Sequence, residues 1–341
     1  MDKKRSLKTL DRKLNLVHSI SMQGIITSGT NNIFEVECSD NVKRKCSIKG
    51  KKLKNCGDFY NPLCPGDIVE IEEDLHSEAE GQIISLVERK NAFVRYNVKG
   101  RLPQLLVANV DLLLCVTTPD EPPFRPRFID RTLAQAEQAG ITPIIICNKF
   151  DLDSIRNPDF ANRIANWEEL GYTVLGISAK TTEGLEELAT LIEDKLCAFV
   201  GQSGVGKSSI INALDSNTVL RIGSLSEKYG RGSHTTTKGV LLELELNESL
   251  TGGRLGAKTR VIDTPGVRRF VLHDIAENEL ALYFKEMHDL VGTCTYGMSC
   301  SHTHENGCKI LEALEEGKIS KERYESWERI CKEIKTGSWA D

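Results

Sequence analysis

Several short stretches of this chain combine residue types that can hold a nucleotide. Gly201-Gln202-Ser203-Gly204-Val205-Gly206-Lys207-Ser208, continued by Ser209, has the spacing of a phosphate-binding loop, with an apolar run before it and a helical run over 209–214. Glycines there let backbone N–H groups and a helix N-terminus approach phosphate oxygens. Lys207 reaches the β- and γ-phosphates, and the Ser208 hydroxyl is placed for Mg²⁺. Asn148-Lys149-Phe150-Asp151 follows the apolar run 144–147. The Asp151 carboxylate can accept hydrogen bonds from guanine N1–H and the exocyclic amine, a donor pair that adenine lacks. Ser178-Ala179-Lys180, after the next apolar run, has the form of a second base-contacting motif. Asp263-Thr264-Pro265-Gly266 completes the set: Asp263 would hold Mg²⁺ through water and the Gly266 N–H would sense the γ-phosphate. A switch threonine is expected within His234-Thr235-Thr236-Thr237, with Thr236 placed among the GTP-binding residues and Gly230, Gly232 and Gly239 around them.

Hydrolysis needs a group that orients water. The position after Gly266, where Ras-like enzymes carry Gln, is Val267, and an apolar side chain cannot hold water. His234 is the best internal replacement, because a neutral imidazole can accept a hydrogen bond from water.

A second constellation, Cys294, Cys300, His302 and Cys308, offers three thiolates and an imidazole for one structural Zn²⁺, with His304 as the rival fourth ligand. The remaining cysteines of the 11 do not suggest disulfides. Cys115, Cys147 and Cys197 sit in apolar runs as small hydrophobes, which fits a reducing, cytoplasmic setting.

The elements that must position these groups fall into three textures. Over 21–98, about five short alternating segments separated by turns predict a closed barrel of OB type. Over 99–274, apolar runs alternate with helices, predicting a parallel sheet covered on both faces. Over 275–341 the chain reads as a small α-helical zinc-binding domain, and 1–20 as a flexible basic N-terminus. That start is not followed by an apolar leader, and no stretch is long and apolar enough to span a bilayer, so no membrane partner is expected. Net charge is −5, which gives the whole chain no attraction for nucleic acid. Yet Lys43, Arg44, Lys45, Lys51 and Lys52 cluster in a run without acids, and a barrel with such a face could bind RNA. A solvated lysine-rich loop is the plain alternative.

The order of the motifs narrows the class. The base-reading motifs precede the phosphate loop, the reverse of ordinary GTPases, so the nucleotide domain is circularly permuted. The chain resembles the RsgA (YjeQ) family over nearly its whole length, through Ala108-Asn109-Val110-Asp111, Asn148 to Leu152, Gly201 to Ser209, Gly230-Arg231-Gly232 with the His234 segment, Asp263 to Arg268, and the Cys/His cluster. The resemblance implies an OB barrel, a permuted P-loop GTPase domain and a C-terminal zinc domain. It also implies a GTPase, using Mg²⁺ with GTP, that acts on the small ribosomal subunit and its rRNA in late maturation. We expect a monomer that exchanges GTP and GDP and couples hydrolysis to its own release from the subunit. A GTP-regulated RNA-binding module with negligible hydrolysis is the other reading, mildly favoured by Val267. Two positions depart from familiar patterns. Gly204 stands where potassium-activated GTPases carry Asn, and Ser233 where another family pattern has Arg.

Overall fold

The computed structural model describes residues 21–30, 32–50, 53, 56–74, 77–216, 239–267 and 269–339. Strands β1 (Ser21–Thr30), β2 (Ile33–Cys38), β3 (Lys43–Ile48), β4 (Ile68–Asp74) and β5 (Ser77–Leu86) close a barrel in the order β1-β2-β3-β5-β4, as the alternating segments predict. Only the β3/β5 pair is parallel. Ile26, Phe34, Val36, Cys46, Val69, Ile71 and Ile83 fill its interior.

The period-two alternation of a strand decides the fate of the basic run. Lys43 and Lys45 point outward, while Arg44 between them is 3% exposed. Its guanidinium donates to both oxygens of Asp40 (2.9 and 2.7 Å) and to Glu73 (2.6 Å). That hydrogen bond holds the Asp40 carboxyl down at about 2. Arg44 is thus committed to a carboxylate cluster and is withdrawn from the expected RNA-contacting set. Lys51 and Lys52 lie outside the described residues. The register also sets Glu37 opposite Lys43, and Glu35 and Glu80 opposite Lys45, so the face is mixed in charge.

A hairpin, β6 (Ala92–Asn97) with β7 (Leu102–Ala108), joins the barrel to the sheet domain. The expected boundary at 98/99 falls in its turn, and Phe93, Leu106 and Val107 of the hairpin pack in one core with Leu113 and Cys115 of the sheet domain. Asn109, after β7, pins the joint: its amide donates to Gly66 O (2.9 Å), and its Oδ1 accepts from the Lys90 N–H (2.7 Å). Gly66 has φ +93°, and a Cβ there would lie 2.0 Å from the Ala108 carbonyl oxygen, so only glycine lets the barrel come this close.

The second domain is a six-stranded sheet in the order β10-β9-β8-β11-β13-β12. Its strands are β8 (Leu112–Thr117), β9 (Thr142–Cys147), β10 (Thr173–Gly176), β11 (Leu196–Gly201), β12 (Val240–Glu245) and β13 (Lys258–Asp263). All neighbours are parallel except the edge strand β12. β8 is buried at every residue, because helices cover both faces. Those are α1 (Pro126–Gln138), α2 (Pro158–Glu169), α3 (Leu185–Ile192) and α4 (Lys207–Leu214). Proline at the first turn starts α1 and α2, and the Asn157 side chain caps α2 by accepting from the Asp159 N–H.

The C-terminal region adds α5 (Lys309–Glu315) and α6 (Lys321–Thr336) around the Cys/His cluster. Its core is not separate. Phe128, Ile129 and Leu133 of α1 pack in one continuous cluster with Phe284, Ile310, Trp327 and Ile330. Among the described residues, no helix is long and apolar enough to cross a membrane.

Candidate functional site

Because β8 to β11 and β13 run parallel, their carboxyl ends lie on one edge of the sheet, and the loops that follow converge there. The phosphate loop turns through Gly204 (φ +90°) and Gly206 (φ +94°) into the N-terminus of α4. Left-handed backbone at both positions requires glycine. At Gly206 a Cβ would also meet the Asn148 amide nitrogen at 2.3 Å. Lys207 is buried, and its ammonium donates to the carbonyls of Gly201 (3.1 Å) and Gln202 (3.3 Å). Burial pulls its pKa down and Asp263 opposes that, so an anion in the loop would add to the side of the charged form.

Asp263 ends β13 close to the loop, where its Oδ2 accepts from the Ser208 hydroxyl at 3.4 Å. Its Oδ1 is buried without a hydrogen-bond partner. Burial raises the Asp263 pKa against the pull of Lys207 and Ser208. An orphaned carboxylate oxygen beside a serine hydroxyl is a donor set that a hard divalent cation satisfies, so these residues fit Mg²⁺. Gly266 abuts the phosphate loop: a Cβ there would be 2.8 Å from Ser203 Cα. Val267 is buried, and its N–H donates to Gly201 O (3.2 Å). His234 and Thr236 lie outside the described residues.

The base-reading motifs meet at the ends of β9 and β10. Asn148, 2% exposed, donates to Val205 O (2.9 Å) and accepts from the Ala179 N–H (3.1 Å). It braces the two base loops against the phosphate loop. Asp151 Oδ1 accepts from the Ser178 hydroxyl (2.8 Å), and the ammonium of Lys180 lies 3.6 Å from Oδ2. The Ser178 hydrogen bond chiefly lowers the Asp151 pKa, keeping the carboxylate ionised. Lys149 donates to the Glu121 carbonyl.

The second cluster also forms. Cys294, Cys300, His302 and Cys308 are all buried, with their ligand atoms within 4.8 Å of one another. Cys294 and Cys308 Sγ are 3.9 Å apart, and His302 Nδ1 is 3.6 and 3.4 Å from them. A tetrahedron with Zn–S bonds of about 2.3 Å has an S···S edge of about 3.8 Å, so the spacing fits a metal ion. The Lys309 N–H donates to Cys294 Sγ (3.3 Å), and the Tyr324 hydroxyl fixes the loop by donating to His302 O (2.7 Å). His304, the rival ligand, is exposed and bonded to Thr303.

Sequence reasoning missed a buried ionic network. Asp130 of α1 receives hydrogen bonds from Arg163 and Trp167 of α2 and from Arg323 and Ser326 of α6. Arg323 also grips Glu286 (2.6 and 3.1 Å), and Arg131 pairs with Glu333 (2.5 Å). The available signal was an acid among Phe128, Ile129 and Leu133 on the apolar side of a helix.

A glycine-turned phosphate loop running into α4, with Asp263 beside it and the Asn148 and Ser178 loops converging on it from strands that come earlier in the chain, gives the architecture of a circularly permuted P-loop GTPase. The RsgA GTPase family model matches residues 86–273. A relative from Borrelia recurrentis (strain A1), named small ribosomal subunit biogenesis GTPase RsgA, is 39% identical over 90% of this chain and 93% of its own. A namesake from Chlorobaculum tepidum is 37% identical over 90% and 96%. The crystal structure of YjeQ from Thermotoga maritima superposes with a TM-score of 0.67 at 29% identity, covering 92% of this chain and 99% of that one. YloQ, described as a circularly permuted GTPase, gives 0.65 at 24% identity over 96% and 99%, a likeness of fold. The chain belongs to the RsgA GTPase family and is a GTP hydrolase.

Proposed function

We propose that this GTPase binds the small ribosomal subunit during its late maturation and couples GTP hydrolysis to its own release. The observation that carries the reading is coverage. Relatives named for small-subunit biogenesis match over 93–96% of their own length and 90% of this chain, so the likeness extends well beyond the nucleotide domain. In this reading Gly201 to Ser209 cradle the phosphates, Lys207 neutralises them, Ser208 and Asp263 hold Mg²⁺, and Thr236 belongs to the GTP-binding set. Gly266 meets the γ-phosphate, while Lys149, Asp151 and the 178–180 loop hold guanine. The buried Val267 cannot orient water, which supports assigning that role to His234. Lys43 and Lys45, with Lys51 and Lys52, face rRNA as one monomer docks, in the cytoplasm. The test is GTP turnover with and without purified small subunits. Stimulation is expected, and His234→Ala should lose most of it while keeping nucleotide affinity. Equal turnover with and without subunits would leave the chain as a GTPase of some other process.

The Cys/His cluster is proposed to hold one structural Zn²⁺. Burial pushes the Cys300 thiol up to about 12 and raises Cys308 as well, so a cation is what would keep these groups as thiolates. Elemental analysis of protein purified without chelator should give about one zinc per chain. Cys308→Ala should reduce that to near zero and lower the melting temperature, and a metal-free parent would refute the assignment.

A further inference from the structure

A cavity of about 50 Å³ lies where barrel, hairpin and phosphate-sensing loop meet. On one side it is lined by Phe34 of the barrel, on another by Arg95 and Gln104 of the hairpin, and on a third by Pro265, Gly266 and Val267. Its volume exceeds that of a single water site, and Asn61, Arg95 and Gln104 are the polar side chains in an otherwise largely apolar lining.

Arg95 is the unusual group. Its Nε and Nη2 both donate to Gln104 Oε1, at 3.2 and 3.0 Å, and Gln104 is itself buried. Among the described residues no carboxylate pairs with it, although Arg44, Arg89, Arg163 and Arg323 are all matched by acids. Burial accordingly lowers its pKa with no charge opposing. A half-buried guanidinium held in place by a neutral amide is a cation prepared for an anion that arrives from outside the chain.

The position of that anion follows from Gly266. One side of this residue abuts Ser203 of the phosphate loop, and the other lines the cavity with Arg95. Hairpin and loop are also packed as one body. The Tyr96 N–H donates to Val271 O (2.9 Å), and Phe93 stacks on Phe270 with centroids 5.3 Å apart. Gly266 therefore lies between the cavity that Arg95 lines and the phosphate loop, in an interior where charges are weakly screened.

We propose that Arg95 is a specificity-determining residue for the charge state of the nucleotide. Its guanidinium is the counter-charge to the γ-phosphate across the Pro265, Gly266 and Val267 backbone, and it favours triphosphate over diphosphate. The proposal rests on the guanine-nucleotide reading of the site. The experiment titrates the full chain with GDP and with a non-hydrolysable GTP analogue, comparing the parent with Arg95→Met and Arg95→Lys. Arg95→Met should weaken the analogue about tenfold and leave GDP within about twofold, and Arg95→Lys should recover most of the loss. Unchanged affinities, or equal weakening of both nucleotides, would overturn the proposal. GDP binding by the variants reports that they are folded. If the parent binds neither nucleotide, the guanine-nucleotide reading fails first and takes the proposal with it.

Discussion

Replacing Asp151 with Asn should move base preference from guanine to xanthine. Guanine presents two donors, N1–H and the exocyclic amine, to the two oxygens of the carboxylate. The amide keeps one acceptor and turns a donor toward the amine, so one charge-assisted hydrogen bond is lost and two donors face each other. The expected cost is about 3 kcal/mol, or roughly 10²-fold in GTP affinity. Xanthine carries a carbonyl where guanine has the amine, and the introduced amide would match it. The loop should survive the change, because an amide oxygen still accepts the Ser178 hydroxyl bond made by Oδ1. The Lys180 contact is lost, but that side chain is 83% exposed, so the loss is minor. Competition titrations with GTP, XTP and ATP test this, and an unchanged order of preference would remove Asp151 from the base site.

What the sequence discloses about this molecule is what lies close together along the chain. The nucleotide motifs are runs of consecutive residues at strand ends, so residue type and neighbouring texture suffice to place Lys207, Asp151 and Asp263. The barrel is legible for the same reason, since short alternating strands and their turns are local. Contacts between distant segments are not. The basic run around Lys43 contains no acid, yet Glu35, Glu37 and Glu80 arrive beside it from neighbouring strands. Arg44 looks like its neighbours and turns inward only because strand geometry alternates. Asn109 and Asp111 are recognisable as a motif, but their work is at a joint: Asn109 clamps the barrel loop, and Asp111 Oδ2 accepts from the Leu196 N–H at the start of β11. The partners of Asp130 lie up to 196 residues away, beyond the reach of any local pattern.

Asp130→Ala should destabilise the union of nucleotide domain and C-terminal helical region by about 3–5 kcal/mol, the usual cost of leaving a buried charge unpaired. Asp130 is fully buried, and its carboxylate is the acceptor shared by Arg163 and Arg323. Arg323 would retain Glu286, but Arg163 has two further buried nitrogens without partners and would keep only its position over the Trp167 ring. The double variant with Arg163→Met should therefore recover part of the loss, because it removes the orphaned cation. The pH dependence has a definite sign. Burial alone would push the Asp130 carboxyl up, but Arg163 and Arg323 outweigh it and hold the pKa below its ordinary 3.8. A depressed carboxylate contributes stability that is complete above 3.8 and is lost as pH falls through the folded-state value. The parent's acid limb below pH 3.8 should thus be steeper than that of Asp130→Ala, a difference that isolates this group from the other carboxylates. Hydrogen exchange should show where the loss falls: amides of α6 and α2 lose protection before those of β8 and β11, since the helices meet through Asp130 whereas the strands have their own ladder. A denaturation difference under about 1 kcal/mol, or uniform loss of protection across the sheet, would mean that apolar contacts of Trp327 and Ile330 hold the C-terminal helical region in place and that the ionic network only fixes its orientation.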